Sequence, residues 1–490
     1  MSDPAPPPPR QGALTIFSAI FLPMFLAIMD QTIIAAALPE IASDLGNAQQ
    51  ITWVVTAYLI AATLAAPTFG RLGDLFGRKR LMIVSISLFV MASAVCSLAQ
   101  SIYILVLGRL AQGLSGGGLI TLSNALIGET ISPRERPRFQ GYLATISVSA
   151  SALGPVLGGY VAGTFGWRFI FLLNFPLGLL ALFFLFRIKA QPGIREKRPF
   201  DVLGLAYLAV FVTSALLNFS FAQEFVGGRT WPFISCALLA GLALVLLVRR
   251  ENAIRYPLLP VHLLRQAAIW RSDGLAACHG ATFVSLLTFT PIYLWAVRGM
   301  SLADIGVLML PLSAGVGIGS MMTGWAVTAT GRSAIFPSIG MMAAAVLLVF
   351  LASASGDLSI LQITVLLGLI ALCLGTTMIV VQVTVQSVAS PRVLGAAAGT
   401  VSLSRSIGAA LGTGAVSMVF FLVLARSGPE VLYAFPDALN TGAAPGSEGA
   451  RIADRLRIAL EPAFAGAFLL IACFAAAGSL MAWLIPMRRL

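Results

Sequence analysis

Stretches of about 20 apolar residues recur from one end of the chain to the other, and in lipid such stretches become helices because the backbone must satisfy its own hydrogen bonds. Spans are expected at 14–38, 51–69, 81–99, 102–127, 139–162, 167–186, 201–222, 231–248, 272–296, 304–327, 333–352, 358–386, 395–424 and 462–485, fourteen in all. An even number puts both ends of the chain on one side. Composition agrees: 58% of the residues are apolar and 10% charged, against roughly 25% charged in ordinary globular proteins. The fold class expected is an all-α integral membrane protein.

The formal charge is +12. The basic residues are scattered between apolar segments rather than gathered in one domain, which points away from nucleic acid and toward membrane orientation. With the N-terminus inside, the internal ends and loops hold 22 of the 31 Lys and Arg. The excess of internal cations places both termini in the cytoplasm and the chain in the cytoplasmic (inner) membrane. Residues 1–12, MSDPAPPPPRQG, read as a disordered cytoplasmic tail, and no cleavage signature follows the first apolar run. The five cysteines fall in different spans without a CxxC pair, so they read as packing residues and no metal site is expected.

The sequence repeats itself at an offset of 254 residues: Gly70 to Arg80 after the second span is echoed by Gly324 to Arg332 after the tenth, and Gly141, Gly154 and Gly158 fall on Gly395, Gly408 and Gly412. Ser132-Pro133-Arg134 recurs as Ser390-Pro391-Arg392 in a shortened loop. Duplicated halves are a common way to build a transporter, with the substrate site between them. The expected organisation is a six-helix half at 13–186, two inserted helices with basic cytoplasmic loops at 187–271, and a second six-helix half at 272–490. The loop 249–271 is expected to hold a short surface helix, and the external loop 425–461 a helical stretch near 448–460.

Several motifs carry a resemblance. These are Asp30-Gln31-Thr32-Ile33 leading to Ala37-Leu38-Pro39, Trp53 with Tyr58, the loop 70–80, Arg109-Leu110-Ala111-Gln112-Gly113, Gly154-Pro155 with Gly158-Gly159, and Trp167-Arg168 with Asn174 and Pro176. Over residues 20 to 425 the chain resembles the fourteen-span drug:proton antiporters of the major facilitator superfamily. The resemblance implies the major facilitator fold, a gating role for the loop 70–80, and an export role for the Gly-Pro motif of the fifth span.

The residues point the same way on their own chemistry. Asp30, well inside the first span, is a costly carboxylate unless paired or neutralised. Arg109 lies at a matching depth, since about eight residues at about 1.5 Å each put both roughly 10–12 Å from the external surface. Burial favours the neutral acid and a neighbouring guanidinium the charged one, so relative movement would load and release a proton; a fixed ion pair is the structural alternative. In the loop 70–80, Gly70, Gly73 and Gly77 allow tight turns, and Asp74 and Arg78 are candidates for a latch between the halves. The second copy has Thr328 where Asp74 stands. Gly154, Pro155, Gly158 and Gly159 suggest a pivot of the fifth span against the second half, with ordinary tight packing as the alternative. Trp53, Tyr58, Asn124, Tyr293, Trp295, Gln382 and Arg405 are candidates for the substrate cavity, with Asn174, Asn218 and Gln386 beside them. His279 reads as a packing residue with a secondary claim on proton movement.

There is no HExxH, GxSxG or P-loop, so an enzyme is not expected and ATP-driven transport is excluded. The function expected is proton-coupled efflux of a lipophilic drug or biocide by alternating access. The proton gradient is the energy source, there is no cofactor, and a monomer suffices. The alternative is a transporter for one endogenous metabolite on the same scaffold. Asp30 is the one acid placed deep in a span, with Asp304 and Glu224 near the external boundary, so a neutral, zwitterionic or modestly cationic substrate is favoured.

Overall fold

The structure, a computed structural model, describes residues 13–45, 52–187, 200–221, 225–254, 257–259, 261–300, 302–354, 356, 358–389, 393–428 and 448–486. The N-terminal tail, most of the loop 187–200, Glu224, Ser390-Pro391-Arg392 and most of the external loop lie outside the described residues. Among these residues the architecture is helical: α1 Ala13–Ile33, α2 Leu38–Leu45, α3 Thr52–Phe76, α4 Arg78–Ser97, α5 Ile102–Thr130, α6 Arg136–Phe165, α7 Arg168–Leu172, α8 Asn174–Phe186, α9 Val202–Ser220 and α10 Trp231–Ala253. There follow α11 Val261–Leu264, α12 Ala267–Ala296, α13 Leu302–Leu308, α14 Leu310–Thr330, α15 Ile335–Ala354, α16 Ile360–Leu374, α17 Thr376–Val388, α18 Leu394–Ala425 and α19 Glu448–Trp483.

Twelve of the described helical stretches, from Trp53–Phe76 to Ile458–Trp483, are long and apolar enough to cross a membrane. Two shorter apolar helices, Phe17–Ile33 and Val202–Asn218, accompany them. These fall in the first and seventh of the expected spans, so twelve of the fourteen expected spans have membrane length among the described residues. Large apolar side chains such as Leu98, Leu238 and Leu361 stand exposed on the helices, the arrangement lipid tolerates and water does not.

Local chemistry sets the helix ends. Gly77, at φ +90°, turns the chain between α3 and α4 with no loop to spare, a conformation that a Cβ would strain. Ser359 and Gln362 form a reciprocal capping box at the start of α16.

The buried apolar side chains form four clusters. Two lie among the helices before residue 187, one spans residues 263–485, and one joins α9 and α10 to Leu64, Leu403 and Ile407 of α3 and α18. The early and late helices meet mainly through α6 against α14 and α3 against α18. These seams favour one end of the bundle, the end at which Gly77 joins α3 to α4. On α6 the close approaches run from Pro137 beside Gly324, through Gly141 beside Ser320 and Met321, to Val148 beside Gly317. On α3 they run from Gly70 beside Gly395 to Pro67 beside Gly399.

Candidate functional site

At the centre of the early helices lies a buried polar network. The Asp30 carboxylate on α1 receives the Arg109 guanidinium of α5 at 2.6 Å, and both side chains are 0–1% exposed. Asn174, at the start of α8, donates to Asp30 Oδ1 at 2.8 Å, and the Gln112 amide reaches the same oxygen at 3.3 Å. Gln112 also accepts from Arg109 at 3.0 Å and donates to Ser93 on α4 at 2.8 Å, while Asn174 meets Ser93 at 3.1 Å. Arg109 has two further supports: its Nε donates to the Val54 carbonyl at 3.4 Å, and its guanidinium sits 4.4 Å from the centre of the Tyr58 ring. Tyr58 in turn donates to the Ala27 carbonyl at 2.9 Å, one turn before Asp30.

This closeness has a backbone cause. A Cβ on Gly113 would lie 2.3 Å from the Tyr58 carbonyl oxygen, and one on Gly117 2.3 Å from that of Ala62. Glycine at these positions lets α5 press on α3 and bring Arg109 under the aromatic ring. A buried ion pair costs desolvation on both partners and is held only if its remaining polar atoms are satisfied. Here Asn174, Gln112, Val54 and Tyr58 do that.

A second cluster lies at the closed end. Asp74 of α3 accepts from the backbone amides of Gly395 and Ala396 at 3.0 Å each, and from Arg78 at 2.7 Å. Arg78 also pairs with Glu129 of α5. Val393, the residue before α18, offers no side-chain cap, so Asp74 supplies from another helix the acceptor that the first-turn amides of α18 lack. The positive end of the helix dipole favours a carboxylate there. Alongside, Gln386 donates to the Asn124 carbonyl at 2.9 Å, and Arg136 bridges the carbonyls of Gly128 and Gln386 at 2.7 and 3.2 Å.

A third cluster lies at the opposite end. Asp44 of α2 accepts from Arg168 at 2.6 Å and from the Trp167 indole at 3.1 Å. The hydrogen bond from Arg168, seconded by that from Trp167, holds the Asp44 carboxyl below its ordinary value. Arg168 continues to the Ala99 carbonyl at 3.0 Å, so α2, α4 and α7 are clasped together.

The remaining candidates are dispersed. Trp53 stands 43% exposed at the start of α3. Asn124 is buried, its amide bonded to the Ile120 carbonyl at 3.0 Å. Gln382 is buried, its Oε1 without a partner among the described residues. Tyr293 sits between Phe464 and Phe468, with ring centres 5.4 and 5.7 Å away, and Trp295 packs on the same apolar cluster, so neither joins Tyr58. Arg405 is half-buried on α18, where its backbone carbonyl abuts Gly280. His279 is buried with its ring stacked on Phe283.

The fifth-span glycines differ from the expected pivot. Gly154 faces Thr32 and Gly158 faces Ile33, both on α1, while Gly159 is exposed. The contact with the later helices is made instead nearer the start of α6, at Gly141. Small residues on both faces of one helix serve two neighbours, and periodicity alone does not say which.

Gln112 and Ser93 belong to the network without having been singled out as site residues. Gln112 had a signal, since it lies three residues after Arg109 and shares its face. Asp273 was also missed: it is 5% exposed in α12, which begins at Ala267 rather than at 272.

Comparison with known proteins completes the description. The family model described as Major Facilitator Superfamily matches residues 20–413. Over 417 residues the chain is 29% identical to the multidrug transporter protein MdtP of Bacillus subtilis, covering 84% of this chain and 76% of that one. It is 32% identical over 337 residues to the efflux pump dotC of Dothistroma septosporum, covering 66% of this chain and 57% of the pump's length. Its fold superposes on the human organic anion transporter MFSD10 (TETRAN) with a TM-score of 0.64, at 16% identity, over 95% of this chain and all of that one.

Proposed function

The chain belongs to the Major Facilitator Superfamily, and from that premise we propose that it is a fourteen-span, proton-coupled exporter of lipophilic small molecules in the cytoplasmic membrane. The observation that carries this reading is the Asp30–Arg109 pair, a carboxylate and a cation with 0–1% exposure held by five helices. A proton arriving on Asp30 cancels the attraction to Arg109. The guanidinium then rests on Gln112, the Val54 carbonyl and the Tyr58 ring, and α1 is free to shift against α5. Relatives named as a multidrug transporter and an efflux pump support export.

The two shorter apolar helices complete fourteen spans with the twelve of membrane length. The halves are 13–186 and 272–490, and residues 187–271 form the insertion; one copy of the chain is sufficient. The excess of internal cations puts the loop 70–80 in the cytoplasm. The tight seams of α3–α18 and α6–α14 at that end support a state closed to the cytoplasm. Substrate leaves outward as the halves rock, and each charge crossing a 100 mV potential contributes about 2.3 kcal/mol. No cofactor takes part. The scarcity of free acids inside favours a neutral, zwitterionic or modestly cationic substrate.

Inverted, energised vesicles test the reading directly. Adding a panel of dyes, biocides and antibiotics is expected to dissipate the proton gradient with the wild-type chain and not with Asp30→Asn. A folded, inserted chain that answers none of them would replace efflux with transport of a single metabolite.

A further inference from the structure

Outside the Asp30 network, Asp273 of α12 is an acid that the mechanism above leaves unused. It is 5% exposed, and both of its carboxyl oxygens lack a hydrogen-bond partner among the described residues. Thr400 of α18 lies beside it, but the Thr400 hydroxyl donates to the Ala397 carbonyl at 2.9 Å. Thr400 is one helical turn beyond Ala396, whose amide Asp74 holds. The two acids therefore flank the opening turns of the same helix, Asp74 with three donors and Asp273 with none.

Among the residues whose side chains are described, no charge answers Asp273 either. The helices packed on α12 are chiefly α18, α19 and α17, with α11, α13 and α16 touching it more lightly. The cation on α18 is Arg405, which bears on His279 rather than on Asp273. On α12 itself, Arg271 donates to the Leu484 carbonyl. α17 offers the neutral Gln382 and Gln386, and Asp304 of α13 and Glu461 of α19 belong to the opposite end of the bundle. The thiols of Cys278, Cys373 and Cys473 and the Tyr293 phenol, whose ring lies between Phe464 and Phe468, complete the titratable groups on these helices among residues whose side chains are described.

We propose that Asp273 is a second proton-binding group of the transport cycle, occupied while the Asp74 latch is closed and emptied when it opens. The inference rests on the proton-coupled reading above and extends it to the second half. An ionised carboxylate with no donor and no cation is the costly form in an apolar surrounding, and the neutral acid removes that cost. When Asp74 releases Gly395 and Ala396, the start of α18 moves and water reaches Asp273. The O–H bond then breaks, its proton passes to water as hydronium, and the carboxylate is hydrated. Relatching needs the reverse step, in which hydronium returns a proton to the carboxylate oxygen and leaves water behind.

Two measurements on the full chain in lipid nanodiscs test this without relying on transport. Infrared difference spectra at neutral pH are expected to show a protonated-carboxyl band that Asp273→Asn removes and Asp30→Asn retains. Amide hydrogen exchange of residues 393–405, corrected for intrinsic rates, is expected to accelerate with rising pH by up to about tenfold per unit in the wild type, and to stay flat in Asp273→Asn. A carboxyl band unchanged in Asp273→Asn, or a wild-type segment indifferent to pH, overturns the inference. The wild-type exchange profile holds that test open even where the variant folds poorly. Failure of the gradient assay with both signals intact would overturn proton-coupled export while leaving the proton site in place.

Discussion

Gly70 and Gly395 pack backbone against backbone, each occupying the space the other's Cβ would need: a Cβ on either would lie 2.3 Å from the other's carbonyl oxygen. On Gly395 the added carbon would also meet Asp74 Oδ1 at 2.7 Å. Neither obstacle is a movable side-chain tip free to swing aside, since one is backbone and the other is held by two amides and Arg78.

Gly395→Ala is therefore expected to open the seam that glycine closes. Overpacking costs about 1–3 kcal/mol, which moves a two-state equilibrium by roughly 5- to 150-fold. Spin labels on the exposed Arg80 and Arg332 positions would report it, as a longer-distance population rising at the expense of the short one. An unchanged distribution would mean that the seam does not set the conformational balance.

Arg109→Ala is expected to abolish proton-driven accumulation while sparing substrate exchange down its own gradient. Without the guanidinium, Asp30 keeps Asn174 and Gln112 as donors but loses its cation partner, so a proton arriving on it no longer breaks an ion pair. Breaking a buried pair also costs about 3–5 kcal/mol, so thermal stability should drop alongside. Counterflow and gradient-driven uptake, measured on the same vesicles, separate the two effects. Full coupled transport by Arg109→Ala would dismiss the pair from the mechanism.

At the other end, the Asp44 carboxyl titrates below its ordinary value of 3.8 because Arg168 and Trp167 bond its charged form. A depressed folded-state value means the contribution is complete above the unfolded value and disappears as pH falls through the folded one. The melting temperature of the wild type should thus exceed that of Asp44→Asn by a small, constant margin near neutral pH. The margin should begin to narrow around 3.8 and vanish at more acid pH. The group is solvent-exposed and the gap correspondingly slight; a gap that widens on acidification would contradict the clasp.

Asp30, Arg109 and the turn at Gly77 were legible because charge and glycine are rare events in apolar helices, and matched depth suggested the pairing; the expected loop 70–80 is instead helix on both sides of Gly77, with Gly70 and Gly73 inside α3. The partner of Asp74 was not legible, since backbone amides carry no sequence signature and Gly395 and Ala396 look like ordinary small residues. Asp273 escaped for a different reason: hydropathy began its helix at 272, whereas the helix starts at Ala267, so a buried acid looked like an end-of-span charge. The α9–α10 pair was legible as apolar segments, but its seat on Leu64, Leu403 and Ile407 depends on contacts between distant parts of the chain.

The fifth-span glycines allow a prediction that separates side-chain from backbone obstruction. A Cβ on Gly154 would lie 2.0 Å from Thr32 Oγ1, and one on Gly158 2.2 Å from the Ile33 carbonyl oxygen. Both press on α1 within a turn of Asp30, so Gly154→Ala and Gly158→Ala should each impair proton coupling, with overpacking costs of about 1–3 kcal/mol. Thr32 makes only local bonds, to the Ile28 and Met29 carbonyls at 3.3 and 3.1 Å, and its removal opens room at Gly154 alone. Thr32→Ala removes the nearest obstacle but leaves Thr32 Cβ at 2.9 Å and the Ile33 N at 3.1 Å, so it should restore part of the coupled transport lost in Gly154→Ala and none of that lost in Gly158→Ala, where the obstacle is backbone. Equal rescue of both, measured as gradient-driven uptake at matched expression, would show that α1 yields as a whole and that the glycines do not fix its distance from α6.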